Sequence, residues 1–135
     1  MISLVVLISI VGASFYYVSA TDIEEPWLGI EGSNVTPAIA QALSLQEPVG
    51  FLIFSVEPSS PAEVAGLRGG DRVVTIDGRP VVLGGDVIIA LDNIQVQDAQ
   101  DIGAQLIQKS IGDVIEFTVI RDGSIEEIDV KLGAR

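Results

Sequence analysis

Side-chain catalysis has little to work with in this chain, which contains no His and no Cys. Without His, the commonest general base and the commonest metal ligand are missing, and no Ser-His or Cys-His nucleophile can be assembled. Without Cys there is no thiolate ligand, no thiol nucleophile and no disulfide framework, although an oxidising compartment is permitted. No Walker-type phosphate loop is present, and the paired glycines Gly69-Gly70 and Gly84-Gly85 lead into strand-like sequence rather than a helix. Seven Lys and Arg face nineteen Asp and Glu, a formal net charge of -12. A surface of that sign repels phosphate backbones, so nucleic acid is not an expected partner. Acidic pairs such as Glu126-Glu127 read as solvated surface. No cofactor and no metal are expected, and the chain is not expected to be an enzyme.

At 135 residues there is room for one domain. The first stretch, residues 1–20, is set apart by composition. From Ile2 to Val18 there is no charge, and Ile, Leu, Val and aromatics dominate. That run is at the short end for a membrane-spanning helix and slightly long for the apolar part of a signal peptide. Val18-Ser19-Ala20 has small residues at the spacing of a cleavage site before Thr21, yet no Lys or Arg precedes the run. Two readings stand: a single-pass anchor with the domain outside the cytoplasm, or an exported domain cleaved near Ala20. Asp22, Glu24 and Glu25 follow in a short linker, residues 21–26, and agree with an extracytoplasmic domain.

The remaining residues, 27–135, alternate strand and helix signals. Leu28 to Glu31 starts a strand. Thr36-Pro37 opens a helix, with Thr as cap and Pro at the first helical position. Ala38, Ile39, Ala42 and Leu43 give that helix one apolar face. Gly50 to Val56 is a continuous apolar strand fit for burial on both faces, and Pro61 opens a short helix ending near Gly66. The segment Gly69–Val81 then recurs fifteen residues later as Gly84–Val96. Each copy reads as a glycine turn, a strand, a tight turn and a second strand, with Asp77-Gly78 a strong hairpin signal. Two copies are too few for a solenoid, so one, residues 72–83, reads as an inserted hairpin. Asp98 caps a helix reaching Lys109, with Ile102, Leu106 and Ile107 on one face. Val114 to Ile120, the turn Asp122-Gly123 and Ile125 to Leu132 form a closing hairpin. The expected class is α+β: a partly open antiparallel barrel or sandwich with two main helices, an inserted hairpin and a preceding apolar helix.

These residues resemble a known family. Trp27-Leu28-Gly29-Ile30 is similar to the aromatic-led Leu-Gly-Ile loop that begins PDZ domains of the HtrA (Do-like) serine proteases. The stretch Ser59 to Asp71 resembles that family's signature before its central strand. Gly85 to Asp92 resembles the strand that follows, and Gly112-Asp113 with Arg121-Asp122-Gly123 resembles the closing hairpin. The likeness runs from about Trp27 to Gly133, and the family's protease domain, with its His, Asp and nucleophilic Ser segment, has no counterpart in these residues.

The resemblance implies that an extended peptide, usually a free C-terminus, binds as an added strand. It implies a peptide site of Trp27, Leu28, Gly29, Ile30, Glu31 and Gly32, with Ile102 and Leu106 as the facing helical wall. Gly29 would let the loop backbone approach a carboxylate closely. From spacing alone, Ile102 and Leu106 read first as core residues, and only the resemblance turns them to the groove. Trp27 as an anchor near lipid headgroups and Gly29 as an ordinary turn residue are the lesser readings of those two. Glu24 and Glu25 beside the loop favour internal hydrophobic segments, or C-termini preceded by basic residues. One buried apolar side chain contributes roughly 1.5–3 kcal/mol and each net hydrogen bond about 0.5–1.5 kcal/mol. After ordering costs, Kd falls at roughly ten to a few hundred micromolar. The expected partners are protein C-termini or hydrophobic segments and the membrane, with a protease or membrane complex as a further possibility. The leading expectation is a membrane-linked peptide-binding module. Its alternatives are an accessory subunit of a membrane complex, or a regulatory module acting in trans on an HtrA-like protease.

Overall fold

The computed structural model describes residues 26–134. The apolar stretch Ile2–Val18, the cleavage site near Ala20 and most of the linker lie outside the described residues. Among those described, no helix is long and apolar enough to cross a membrane.

Thirteen elements follow one another: β1 Pro26–Trp27, β2 Ile30–Asn34, α1 Pro37–Ala42, β3 Phe51–Val56, α2 Pro61–Ala65, β4 Arg72–Ile76, β5 Arg79–Leu83, β6 Val87–Leu91, β7 Ile94–Gln95, α3 Ala99–Leu106, β8 Val114–Arg121, β9 Ser124–Lys131 and β10 Gly133–Ala134. The main sheet is antiparallel in the order β2-β3-β6-β8-β9, with β7 paired to β6. It stays open, with β2 and β9 as its edges, and does not close into a barrel. β1 pairs with β10, which brings the two ends of the domain together.

Local chemistry accounts for the element boundaries. Each helix begins at a residue whose side chain accepts a backbone N–H of the first turn: Thr36 from Ile39, Ser60 from Glu63 and Asp98 from Asp101. Pro37 and Pro61 take the first helical position, where no N–H is needed. Three hairpin turns put both central residues in left-handed backbone, Asp77-Gly78, Asp92-Asn93 and Asp122-Gly123. The repeat therefore becomes two hairpins, β4–β5 and β6–β7. The first forms a two-stranded sheet of its own over Arg72–Leu83.

The alternation of β3 divides two cores. Phe51 and Ile53 face one, with Leu28, Ile88, Ile102 and Phe117, while Leu52 faces the other, with Val35, Ile39, Val81, Leu83 and Val87. Successive strand residues point to opposite faces, so β3 is covered twice, as its apolar run required. The hairpin β4–β5 and α1 supply the cover of the second core. On α1, Ile39 of the expected face is buried and Leu43 packs on the same core, but Ala42 is exposed and Ala40, outside that face, is buried.

Candidate functional site

Among the described residues, β2 has a neighbour on one side only. Its register with β3 pairs Ile30 with Val56, Gly32 with Ile53 and Asn34 with Phe51. The bond from Glu57 N–H to the Gly29 carbonyl (2.8 Å) and that from Val35 N–H to the Gly50 carbonyl (3.0 Å) fix the phase of the ladder. Ile30, Gly32 and Asn34 occupy the non-hydrogen-bonded positions, so their own N–H and C=O groups point away from β3, to the open edge. The Glu31 backbone turns the other way, into the ladder, and its exposed side chain accepts a long bond from Ser55 Oγ (3.4 Å).

The loop that precedes β2 is held from behind. Leu28 is buried, and its carbonyl accepts the N–H of Ala62 in α2 (3.0 Å). Gly29 has φ +91°, and a Cβ there would meet Ser60, with the Oγ only 2.7 Å away. Among the described residues, the Leu28 and Gly29 N–H groups find no acceptor. The loop thus carries unpaired donors in backbone that only glycine adopts without strain. Trp27 is half-buried on β1, directly before the loop.

α3 is tied to β2 through Asn34, whose Oδ1 accepts the N–H of Ala99 (2.8 Å). Ile102 is 2 % exposed and belongs to the core beneath the helix, whereas Leu106 is half-buried at its end. Ile107 is 65 % exposed and leaves the apolar face that its spacing suggested. Ala99, Gly103 and Leu106, spaced i, i+4 and i+7, form a half-buried strip flanking Ile102, while Gln100 and Ala104 face solvent. A mid-helix glycine costs roughly 1 kcal/mol relative to alanine, and Gly103 lies inside α3 in right-handed backbone. The sequence reading passed over Ala99 and Gly103 because neither is apolar enough to mark a face. Their spacing, i and i+4 with Leu106 at i+7, was the available signal.

Asp92 holds the far end of α3. Its carboxylate accepts the Glu116 N–H (2.8 Å) and Lys109 Nζ (3.0 Å). The Glu116 N–H first, and Lys109 second, keep the Asp92 carboxyl below its ordinary range. A depressed carboxylate contributes stability that is present above the unfolded value, about pH 4, and is lost as pH falls through the folded one. The pair is a third exposed, so solvent weakens it. Glu116 is pushed the other way by Glu127 and Asp129, so its charge opposes folding above pH 4 and is relieved in acid. The two effects oppose each other in the whole-protein profile. Asp92→Asn should therefore be compared with the unaltered protein by urea unfolding at each pH. We expect it to be less stable at pH 7 and equal to it near pH 2. A gap that persists undiminished at pH 2 would show that charge plays no part.

An open trough of about 930 Å³ lies elsewhere, lined among others by Leu43, Leu45, Arg72, Val87, Ile89 and Ile120. The β2–α3 face, by contrast, presents the outward backbone groups of β2 beside half-buried apolar side chains of α3. The latter is the candidate site.

Comparison with known proteins identifies the family and fold. Two PDZ-domain family profiles match, over residues 53–84 and 82–132, and meet where β5 ends. Probable periplasmic serine endoproteases described as DegP-like are similar. The one from Rhizobium meliloti (strain 1021) is 30% identical over 107 residues, 79% of this chain and 18% of that protein. That from Ectopseudomonas mendocina (strain ymp) is 27% identical, over 79% of this chain and 19% of that protein. The chain thus spans under a fifth of the length of these relatives, over their PDZ region. Among solved structures, the HtrA3 PDZ domain bound to a phage-derived ligand (FGRWV) superposes with a TM-score of 0.63 at 15% identity, over 84% of this chain and 89% of that one. The HtrA-type protease AlgW with a tripeptide gives a TM-score of 0.63 at 23% identity, over 90% of this chain and 40% of that one. With its open five-strand order, capped helices and Leu-Gly-Ile loop, this chain belongs to the PDZ family, in the type carried by HtrA serine proteases.

Proposed function

We propose that the domain binds an extended peptide as an added strand on the free edge of β2, with the peptide's C-terminus against the Trp27–Ile30 loop. The observation that carries this reading is the row of outward N–H and C=O groups at Ile30, Gly32 and Asn34, leading from a loop with unpaired donors. Strand addition supplies main-chain hydrogen bonds, and side-chain pockets supply selectivity. Ile30 and Leu106 are both half-buried against the main core and supply an apolar seat for the last side chain. Ile102 supports that seat from below. Glu31 and Glu57 are exposed on the β2–β3 side, which favours ligands with basic residues upstream. Solved HtrA-type structures carry a phage-derived ligand or a tripeptide, which supports the same reading here.

We further propose that the apolar Ile2–Val18 stretch keeps the domain at a membrane, outside the cytoplasm, or directs its export. The periplasmic description of the relatives supports that side of the membrane. A weak binder held at a surface gains by avidity. Because those relatives are proteases, a second reading assigns the domain to regulation of an HtrA-type protease, in which case it would stimulate such an enzyme when mixed with it.

Titration with hydrophobic C-terminal peptides, followed by Trp27 emission, tests the main reading. Saturation at tens to hundreds of micromolar is expected, and Leu106→Asp should weaken binding at least tenfold. A folded protein that binds no peptide up to millimolar concentration would sink it.

A further inference from the structure

We infer that the sheet face opposite α3 docks an amphipathic helix of a partner protein, apolar in one turn and bearing Lys or Arg in the turns that follow. The peptide-binding reading plays no part in it, since the two surfaces share no residue. Alternation sorts the closing hairpin onto two faces. Ile115, Phe117 and Val119 turn to the core beneath α3, so Glu116, Thr118 and Ile120 turn to the other side. Ile120 packs there with Leu43, Leu45 and Ile89 on the second core. β9 follows in register, with Ile125 opposite Ile120, Glu127 opposite Thr118 and Asp129 opposite Glu116.

Ile120 and Ile125 line the open trough of about 930 Å³, and Ile125 is 67 % exposed. Beyond them the same face continues as carboxylates. Glu127 stands about 6.7 Å along β9 from Ile125, and Asp129 about 13 Å. Among the described residues, Glu116, Glu127 and Asp129 make no ion pair. Glu127 and Asp129 raise the Glu116 carboxyl above its ordinary value, a sign of crowded negative charge. Lys131 comes next on this face, and Arg72 lines the trough together with Glu47 and Asp122, so acid exceeds base over the whole surface. Unlike the β2 edge, a sheet face offers side chains and no free backbone groups. A segment lying on it must pair its own N–H and C=O groups, which a helix does and an extended chain does not. Helix residues four and eight places beyond an apolar anchor lie about 6 and 12 Å away on one face. Those steps match the row from Ile125 to Glu127 and Asp129. The Ile2–Val18 stretch of this chain is uncharged and is followed by Asp22, Glu24 and Glu25, so it supplies no cation. A formal charge of -12 likewise sets a second copy against this face.

Calorimetric titration of the full chain tests this. The probe is the blocked peptide acetyl-Ala-Leu-Ala-Ala-Leu-Leu-Ala-Gln-Lys-Ala-Ala-Gln-Lys-amide, whose Leu and Lys residues share one helical face. A twin carries Gln for both Lys. The amidated end gives the Trp27–Ile30 loop no carboxylate to hold. The Lys peptide should bind at least about fivefold more tightly than the twin, a margin that shrinks in about 0.5 M salt. Glu127→Gln combined with Asp129→Asn should erase that margin. Ile125→Ser should weaken both peptides at least about threefold. All three side chains are exposed, so the variants are expected to fold. Equal affinity of the unaltered protein for the two peptides overturns the inference, as does no binding up to about millimolar concentration. So does binding that Ile125→Ser leaves unchanged, or a margin that survives the double substitution. Self-association of the unaltered protein in sedimentation, abolished by Ile125→Ser, would give the face to a second copy and overturn it as well.

Discussion

Replacing Asp86 with alanine is expected to destabilise the domain by about 3–5 kcal/mol, the largest effect of any single polar substitution in it. Asp86 is 1 % exposed, directly before β6. Both carboxylate oxygens are engaged by Arg121 of β8, Nε to Oδ1 at 2.8 Å and Nη2 to Oδ2 at 2.7 Å. Oδ2 also accepts the Arg68 N–H (2.9 Å), and Arg121 Nη2 reaches the Gly66 carbonyl (2.8 Å). One planar fork thus fastens the end of α2 and the chain after it to two strands. The Asp86 hydrogen bonds raise the Arg121 guanidinium above its ordinary value, so the arginine stays charged. Removing the carboxylate leaves that cation half-desolvated and three donors without their acceptor, which costs far more than the pair contributes over an apolar substitute. Because α2 supports Leu28, the same loss should loosen the loop beside β2. Urea unfolding of Asp86→Ala and Arg121→Met would measure it. A change within about 0.5 kcal/mol of the unaltered protein in both would mean that the fork is incidental.

Asp86 also shows what the sequence could and could not convey. In the repeat it is the counterpart of Asp71, which is exposed. Nothing within either copy distinguishes them, because the distinction comes from Arg121, 35 residues further on. Caps and hairpin turns were legible since each is settled by a few adjacent residues, as with Thr36-Pro37 and Asp77-Gly78. The two-sided burial of β3 was legible from its unbroken apolar run. β1 and β10 were not, for two residues each carry no period. The same limit applied to the candidate site. Trp27–Ile30 stood out as a motif, but the link from Asn34 to Ala99 joins residues 65 apart. Spacing likewise marked Ile102 and Leu106 as one face, and only packing separates the buried floor from the strip beside it.

The loop residue Gly29 offers the sharpest separation of folding from binding, through a comparison with Gly66. Their backbones are nearly alike, φ +91° and +96°. Alanine in left-handed backbone costs roughly 1–2 kcal/mol at either position. The surroundings differ. At Gly66, the left-handed cap of α2, a Cβ meets nothing within 4 Å. At Gly29 it would collide with Ser60. Ser60 is fully buried and caps α2 by accepting the Glu63 N–H (3.2 Å), so it cannot yield without uncapping the helix. The loop must move instead, and with it the Leu28 and Gly29 donors. We therefore expect Gly66→Ala to lower Tm while leaving peptide Kd within about twofold. Gly29→Ala should lower Tm at least as much and weaken Kd at least about tenfold, the loss of roughly one hydrogen bond to a charged group. Melting curves and Trp27 titrations of both variants, under one set of conditions, check the pair. Were both to bind like the unaltered protein, the loop donors would not contact the ligand, and strand pairing along β2 alone would have to hold the peptide.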